Sequence, residues 1–206
     1  MRKTLVVLVT VGVAALLASV GAAAPPQTVT ISASRPAVVF GKSVTLSGKV
    51  SNSKASENVS VLAEPFGTTA FAALAAVQTV SGGHWSEVVK PTIETSYQAK
   101  WKSATSSTVS VKVRPLITLT LVSQASGRFS TKVSAARSFA GKFVLVQRLS
   151  STGVSTLKRV TLDPNSAASF AVRLHHGRSR LRVVMPTSQT APGYITGTSN
   201  VLTVSH

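Results

Sequence analysis

From Ser43 to Val50 the chain alternates. Val44, Leu46 and Gly48 fall on one face, and Ser43, Thr45, Ser47 and Lys49 on the other. The stretch Arg35 to Val50 therefore reads as a proline-opened lead-in, a Phe40-Gly41 turn and a strand. The same idea recurs down the chain. Strands are expected at Thr28–Ser32, Ser43–Val50, Val59–Glu64, Trp85–Val89, Thr95–Lys102 and Ser107–Arg114. Asn52 to Glu57 is polar and reads as a loop, and Ser81-Gly82-Gly83 as a hairpin turn. The alanine-rich stretch Thr69–Thr79 suits a helix on propensity, but a strand near Ala73–Val80 agrees better with its neighbours. That makes about seven strands, with turns every eight to twelve residues, the spacing of a β-sandwich.

Beyond Pro115 the pattern starts again. Strands are expected at Leu116–Val122, Arg128–Ser134, Lys142–Leu149, Val154–Leu162, Ala168–Leu174, Ser179–Met185 and Asn200–Val204. Gly153 and Asp163-Pro164-Asn165 read as turns, and Pro186–Thr198 as a long loop. The closing Ser107-Thr108-Val109-Ser110-Val111 is matched with Ser199-Asn200-Val201-Leu202-Thr203, so the chain divides into two similar modules. Their expected bounds are 27–114 and 115–206, and Pro115 predicts a short link with limited hinge motion.

The N-terminus follows other rules. Arg2 and Lys3 precede an apolar run from Leu5 to Val20, and the small residues Gly21 to Ala24 precede Pro25-Pro26. This is the pattern of a secretory signal peptide, assigned to residues 1–23, with cleavage after Ala22 or Ala23. No later apolar run is long enough to span a bilayer, so no integral membrane segment is expected after cleavage. The expected location is extracellular, secreted or loosely held at the cell surface.

The run SRPAVVFGKSVTLSGKV, the segment GGHWSEVV, the strand TSYQAKW and the closing SSTVSVKV together resemble bacterial immunoglobulin-like domains. The resemblance covers most of residues 28 to 114. It implies an all-β fold of two tandem Ig-like antiparallel sandwiches and an exported structural or adhesive role. It also places Tyr97 where such sandwiches hold a corner tyrosine, its hydroxyl tied to nearby backbone. The second module has no tryptophan, and Arg180 or Leu181 falls at the place of Tyr97.

Composition removes several chemistries. Cysteine is absent, so there is no disulfide, thiolate nucleophile or thiolate ligand. Only Glu57, Glu64, Glu87, Glu94 and Asp163 carry acid, and nothing pairs two of them for glycoside hydrolysis or clusters them for calcium. His84, His175, His176 and His206 lack metal-ligand spacing. No G-x-S-x-G elbow or phosphate-cradling glycine loop occurs. The expectation is a non-enzyme, with no catalytic, cofactor or metal site and no small-molecule substrate. Trp85 and Trp101 read as core residues rather than a carbohydrate platform.

Charge adds a second possibility. Lysine and arginine number 22 against 5 acids, a net of +17. From residue 115 onward eleven basic residues face one acid, a net of +10. The densest run is His175-His176-Gly177-Arg178-Ser179-Arg180-Leu181-Arg182. On an extended strand Arg178, Arg180 and Arg182 share one face, either as a solvated surface opposite a buried Leu181 and Val183 or as a ladder for phosphate or sulfate oxygens. The candidate site is therefore Arg178, Arg180 and Arg182 with His175 and His176. Its partner would be a polyanion: a cell-envelope polymer, lipopolysaccharide or extracellular nucleic acid. An unknown protein partner remains the alternative.

Overall fold

The computed structural model describes residues 26–173 and 177–205. His175, His176, His206 and the expected signal peptide up to residue 23 lie outside the described residues. Nine strands precede Pro115: β1 (Ser32–Ala33), β2 (Ala37–Val39), β3 (Val44–Lys49), β4 (Asn58–Pro65), β5 (Ala72–Gln78), β6 (His84–Val89), β7 (Thr95–Trp101), β8 (Ala104–Thr105) and β9 (Val109–Arg114). Eight follow it: β10 (Leu116–Ser123), β11 (Arg128–Ser134), β12 (Phe143–Ser150), β13 (Gly153–Thr161), β14 (Ala167–Ala171), β15 (Arg178–Met185), β16 (Gly197–Thr198) and β17 (Leu202–Ser205). A one-turn helix α1 (Thr187–Thr190) lies between β15 and β16.

These strands make two Ig-like sandwiches with matching topology. In the first, a β1-β3-β6 sheet faces a β2-β9-β7-β4-β5 sheet. In the second, β10-β11-β14 faces β13-β12-β15, with β16 and β17 both paired to β15. No ladder among the described residues crosses Pro115. Alternation supplies both cores. Val44, Leu46, Val59, Val61, Tyr97, Ala99 and Trp101 fill the first, and Phe129, Val144, Val146, Leu181, Val183 and Met185 the second. Trp85 and Trp101 are buried, as expected of core residues. The second core replaces them with a stacked pair, Phe129 and Phe170, whose ring centroids lie 6.0 Å apart.

A pair of serines fixes the correspondence between the modules. Ala99 N–H donates to Ser106 Oγ at 2.9 Å, and that hydroxyl donates to the Ser107 carbonyl at 2.8 Å. Val183 N–H donates to Ser199 Oγ at 2.8 Å, and Ser199 Oγ donates to the Asn200 carbonyl at 2.7 Å. Ser106, not Ser107, therefore answers Ser199, and the expected match was one residue out. That slip matters because it turns every side chain to the other face. In the correct register Val111 answers Val204, both buried, and Leu181 takes the place of Tyr97.

Other expectations shift for identifiable reasons. The lead-in at Ala37–Val39 is a strand that runs parallel to β9, so the first sandwich is not wholly antiparallel. Among the described residues the second sandwich has no counterpart to that strand. Asn200 serves instead: its Oδ1 accepts from Leu119 N–H at 2.9 Å and its Nδ2 donates to the Leu119 carbonyl at 3.0 Å. The Thr28–Ser32 strand is reduced to a Val29–Val50 bridge followed by β1. Gly153 begins β13 rather than sitting in the turn, and the Ala168–Leu174 strand ends at Ala171. Within Thr69–Thr79, Ala72–Gln78 is strand, because β5 gains a ladder with β4 that no local helix would provide. Among the described residues no hydrogen bond ties the Tyr97 hydroxyl to backbone; burial raises its pKa, and the neighbouring Thr95 side chain opposes the rise.

The two sandwiches meet closely at Pro115, which is buried and is the sole residue between β9 and β10. The long Pro186–Thr198 loop folds back onto the first sandwich. Glu94 N–H donates to the Gly193 carbonyl at 3.0 Å, and Ile195 N–H to the Val113 carbonyl at 3.0 Å. Arg114 Nη1 donates to the Thr196 carbonyl at 2.7 Å. Tyr194, 2% exposed, donates its hydroxyl to the Thr92 carbonyl at 2.6 Å and accepts from Ala136 N–H at 3.0 Å. It thus bonds one sandwich to the other through a single oxygen. Its ring packs edge-on against Phe139, and the Arg137 guanidinium lies 5.4 Å from its centroid. Burial raises the Tyr194 pKa, against the Ala136 bond and the Arg137 charge.

Two predictions follow from these packing details. A Cβ on Gly48 would lie 1.9 Å from the Thr30 carbonyl oxygen and 2.7 Å from the Trp85 indole nitrogen. Gly48→Ala should destabilise by about 1–3 kcal/mol in chemical denaturation. Gly41→Asn, with open space around it but a backbone φ of +85°, should cost about 1 kcal/mol through backbone strain alone. The second prediction concerns alkaline pH. Tyr97 and Tyr194 hold their protons more tightly folded than unfolded. Their contribution is complete below the unfolded-chain value, about pH 10, and is lost as pH rises through the higher folded values. Denaturation midpoints should therefore fall more steeply above about pH 10 in wild type than in Tyr194→Phe. Parallel profiles would exclude Tyr194 as a source of the decline.

Candidate functional site

The strand register defines the ends of the second sandwich. Leu149 pairs with Arg180, Arg178 with Ser205, and Arg128 with Ala171. These pairs gather Arg128, Arg148, Arg173, Arg178 and Arg180 at the end away from Pro115. The one acid of this sandwich, Asp163, lies after β13 near the other end, where its Oδ1 accepts from the N–H groups of Asn165 and Ala167. It caps a turn and neutralises no basic side chain. Among the described residues the one ion pair is Lys102–Glu57 at 3.6 Å, in the first sandwich. Glu57 is already committed there. The Trp101 indole and the Asn52 amide donate to it and, with Lys102, hold its carboxyl below the usual range.

The expected arginine ladder has the expected geometry. Ser179, Leu181 and Val183 face the core, and Arg178 and Arg180 project outward and are exposed. Arg182 shares their face but is half-buried, because its Nε donates to Gln147 Oε1 at 2.9 Å. Successive arginines stand roughly 6.8 Å apart along the strand. Leu149 and Thr203 flank Arg180 on the adjacent strands, with no acid and no aromatic residue beside it. His175 and His176, assigned to this site by sequence, lie outside the described residues.

Sequence reasoning missed a second group of cations. On β12, Val144 and Val146 point into the core, and Arg148 continues the same face opposite the fully buried Leu181. An arginine thus occupies an inward position at the mouth of the sandwich. Its Nη2 donates to the Arg173 carbonyl at 3.3 Å, and its Nε is buried without a hydrogen-bond partner. Arg148, Lys158 and Arg173 line one cleft of about 260 Å³ with Leu157, Ala171 and Val172. The signal in the sequence was the alternation Val144-Val146-Arg148, which puts a charge where an apolar residue belongs.

The first sandwich offers a different surface. A groove of about 330 Å³ between its two sheets is lined by Ala63, Pro65, Leu74, Val88 and Tyr97 among others. It is mainly apolar and holds no nucleophile–base pair. Among the described residues no three metal-ligating side chains come together, and no helix is long and apolar enough to cross a membrane.

No protein-family model matches the chain, and no curated protein matches it. Among solved structures, a tetra-tandem repeat from the extending region of a large adhesion protein aligns over 87% of this chain and 49% of its own length, at 12% identity and a TM-score of 0.37. The chain thus spans about half the length of that structure. A bovine butyrophilin aligns over 88% of this chain and 99% of its own, at 12% identity and a TM-score of 0.38. Likenesses this distant add nothing to the fold already read from the sheets, and they name no activity for this chain.

Proposed function

We propose that the protein is a non-enzymatic, exported structural and adhesive module, built from domains at 27–114 and 115–206 that act as one rigid unit outside the cell. The joint at Pro115 carries this reading. A one-residue link, four polar contacts made by Gly193 to Thr196, and an aromatic plug at Tyr194 join the sandwiches with no free spacer. A unit of this kind transmits position and load; it does not gate a reaction. Scattering in solution tests the idea. Wild type should give one pair-distance profile that does not change with salt. Gly193→Val should broaden it, because its Cβ would lie 2.7 Å from Ile93 at a backbone φ of +81°. A broad ensemble in wild type would end the rigid-unit reading.

A second reading rests on the uncompensated charge of the second sandwich. In it, adhesion is to an anionic polymer of the cell envelope or its surroundings, through Arg178, Arg180 and Arg182. The three side chains are presented on one strand face, with no carboxylate among the described residues within ion-pair distance. Such contacts release counterions and weaken steeply with salt. Retention of the mature protein on purified envelope should be strong at low salt and lost at high salt. It should be reduced at low salt in a variant with all three arginines changed to serine. Equal retention of both proteins would assign the ladder to solvation, and salt-resistant retention would point to an apolar protein interface.

A further inference from the structure

We infer that the cleft formed by Arg148, Lys158 and Arg173 is a seat for a single oxyanion, the phosphate or sulfate group of a ligand. The inference goes beyond the polymer reading, because it concerns a concave site at the sandwich mouth rather than the exposed ladder on β15. Three observations carry it. The first is the inward placement of Arg148. Its strand neighbours Val144 and Val146 are buried, as is its cross-strand partner Leu181, so the side chain lies over the core face. A guanidinium there gives up part of its hydration and requires acceptors in return. The second is the shortage of those acceptors. Of its five donors, one reaches the Arg173 carbonyl at 3.3 Å and the buried Nε reaches none. The third is the company it keeps. Lys158 and Arg173 line the same cleft of about 260 Å³, and among the described residues no carboxylate approaches any of the three within ion-pair distance. Three like charges around one concavity repel each other. A divalent oxyanion removes that repulsion and supplies the missing acceptors, and the arginine fork matches its geometry.

The ladder differs in each respect. Arg178 and Arg180 are exposed on an open strand face, and Arg182 already has Gln147. The cleft should therefore bind one group stoichiometrically, whereas the ladder would contact a polymer diffusely.

The test uses the mature chain and three probes: sodium phosphate, sodium sulfate and poly(glycerol phosphate), each against sodium chloride at matched ionic strength. Amide chemical shifts of Leu157, Lys158 and Ala171 to Arg173 should move and saturate. The Lys158→Gln, Arg173→Gln double variant should bind the probe about tenfold more weakly or worse. The triple serine variant of the ladder should bind it as wild type does. Arg148→Met should abolish saturation and, in chloride alone, be at least as stable as wild type, since it removes an uncompensated charge from the mouth of the core. If that variant fails to fold, the Lys158 and Arg173 pair decides the matter, because both side chains are exposed. Saturation with the inorganic ions assigns a free oxyanion. Saturation with the polymer alone, lost in the double variant, assigns a phosphodiester. Unchanged affinity in the double variant, loss only in the ladder variant, or no saturable response to any probe would overturn the assignment.

Discussion

Pro115 alone separates two β-strands that belong to different sandwiches, and much of the remaining architecture answers to that constraint. A link so short brings the end of one sandwich onto the start of the next. The gap between them must then be filled with side chains and its backbone groups satisfied. The Pro186–Thr198 loop meets both needs. Gly197 lies against Pro115, where a Cβ would come within 2.7 Å of the proline ring, and Gly193 lies against Ile93. Tyr194 then closes the space with a ring that has both an apolar body and a polar tip. Its hydroxyl uses donor and acceptor capacity at once, toward Thr92 on one side and Ala136 on the other.

Charge is distributed along the same axis. Glu64 and Glu94 lie at the Pro115 end of the first sandwich, where they line one shallow cleft with Phe66. The arginines of the second sandwich collect at the opposite extremity. The molecule thus combines a short-range, well-bonded middle with a far end whose charges no carboxylate among the described residues offsets. Repulsion at that end costs stability, and screening by salt reduces the cost. The fold can bear it because the cores are held by apolar burial that does not depend on ionic strength.

Much of this order was legible in the sequence. Alternation located most strands to within a few residues, since the period of two is imposed by the pleat itself. Arg178, Arg180 and Arg182 landed on one face for the same reason. Three features escaped. The parallel strand β2 is only three residues long and begins just after Pro36, so it carries too little pattern to be seen. The correct match of Ser106 to Ser199 depends on hydrogen bonds across strands, which a string of letters does not display. Tyr194 sits in a stretch that reads as plain loop and Asn200 at the start of an expected strand, and their importance comes from contacts 102 and 81 residues away. Arg148 was a different kind of omission. Its position in the alternation was visible, but an isolated basic residue attracts less notice than three in a row.

The unequal connections between corresponding strands also give the pair a direction. In the second sandwich the chain between β15 and β16 is long enough to form a strap that grips the sandwich before it. In the first, β7 and β8 are separated by Lys102 and Ser103 alone. A further sandwich stacked ahead of the first would find no comparable strap to hold it. A repeat can share strand order with its neighbour and still differ in whether it clasps or is clasped. Here the clasp belongs to the downstream unit, so the two sandwiches are not interchangeable links of a chain but a head and a collar.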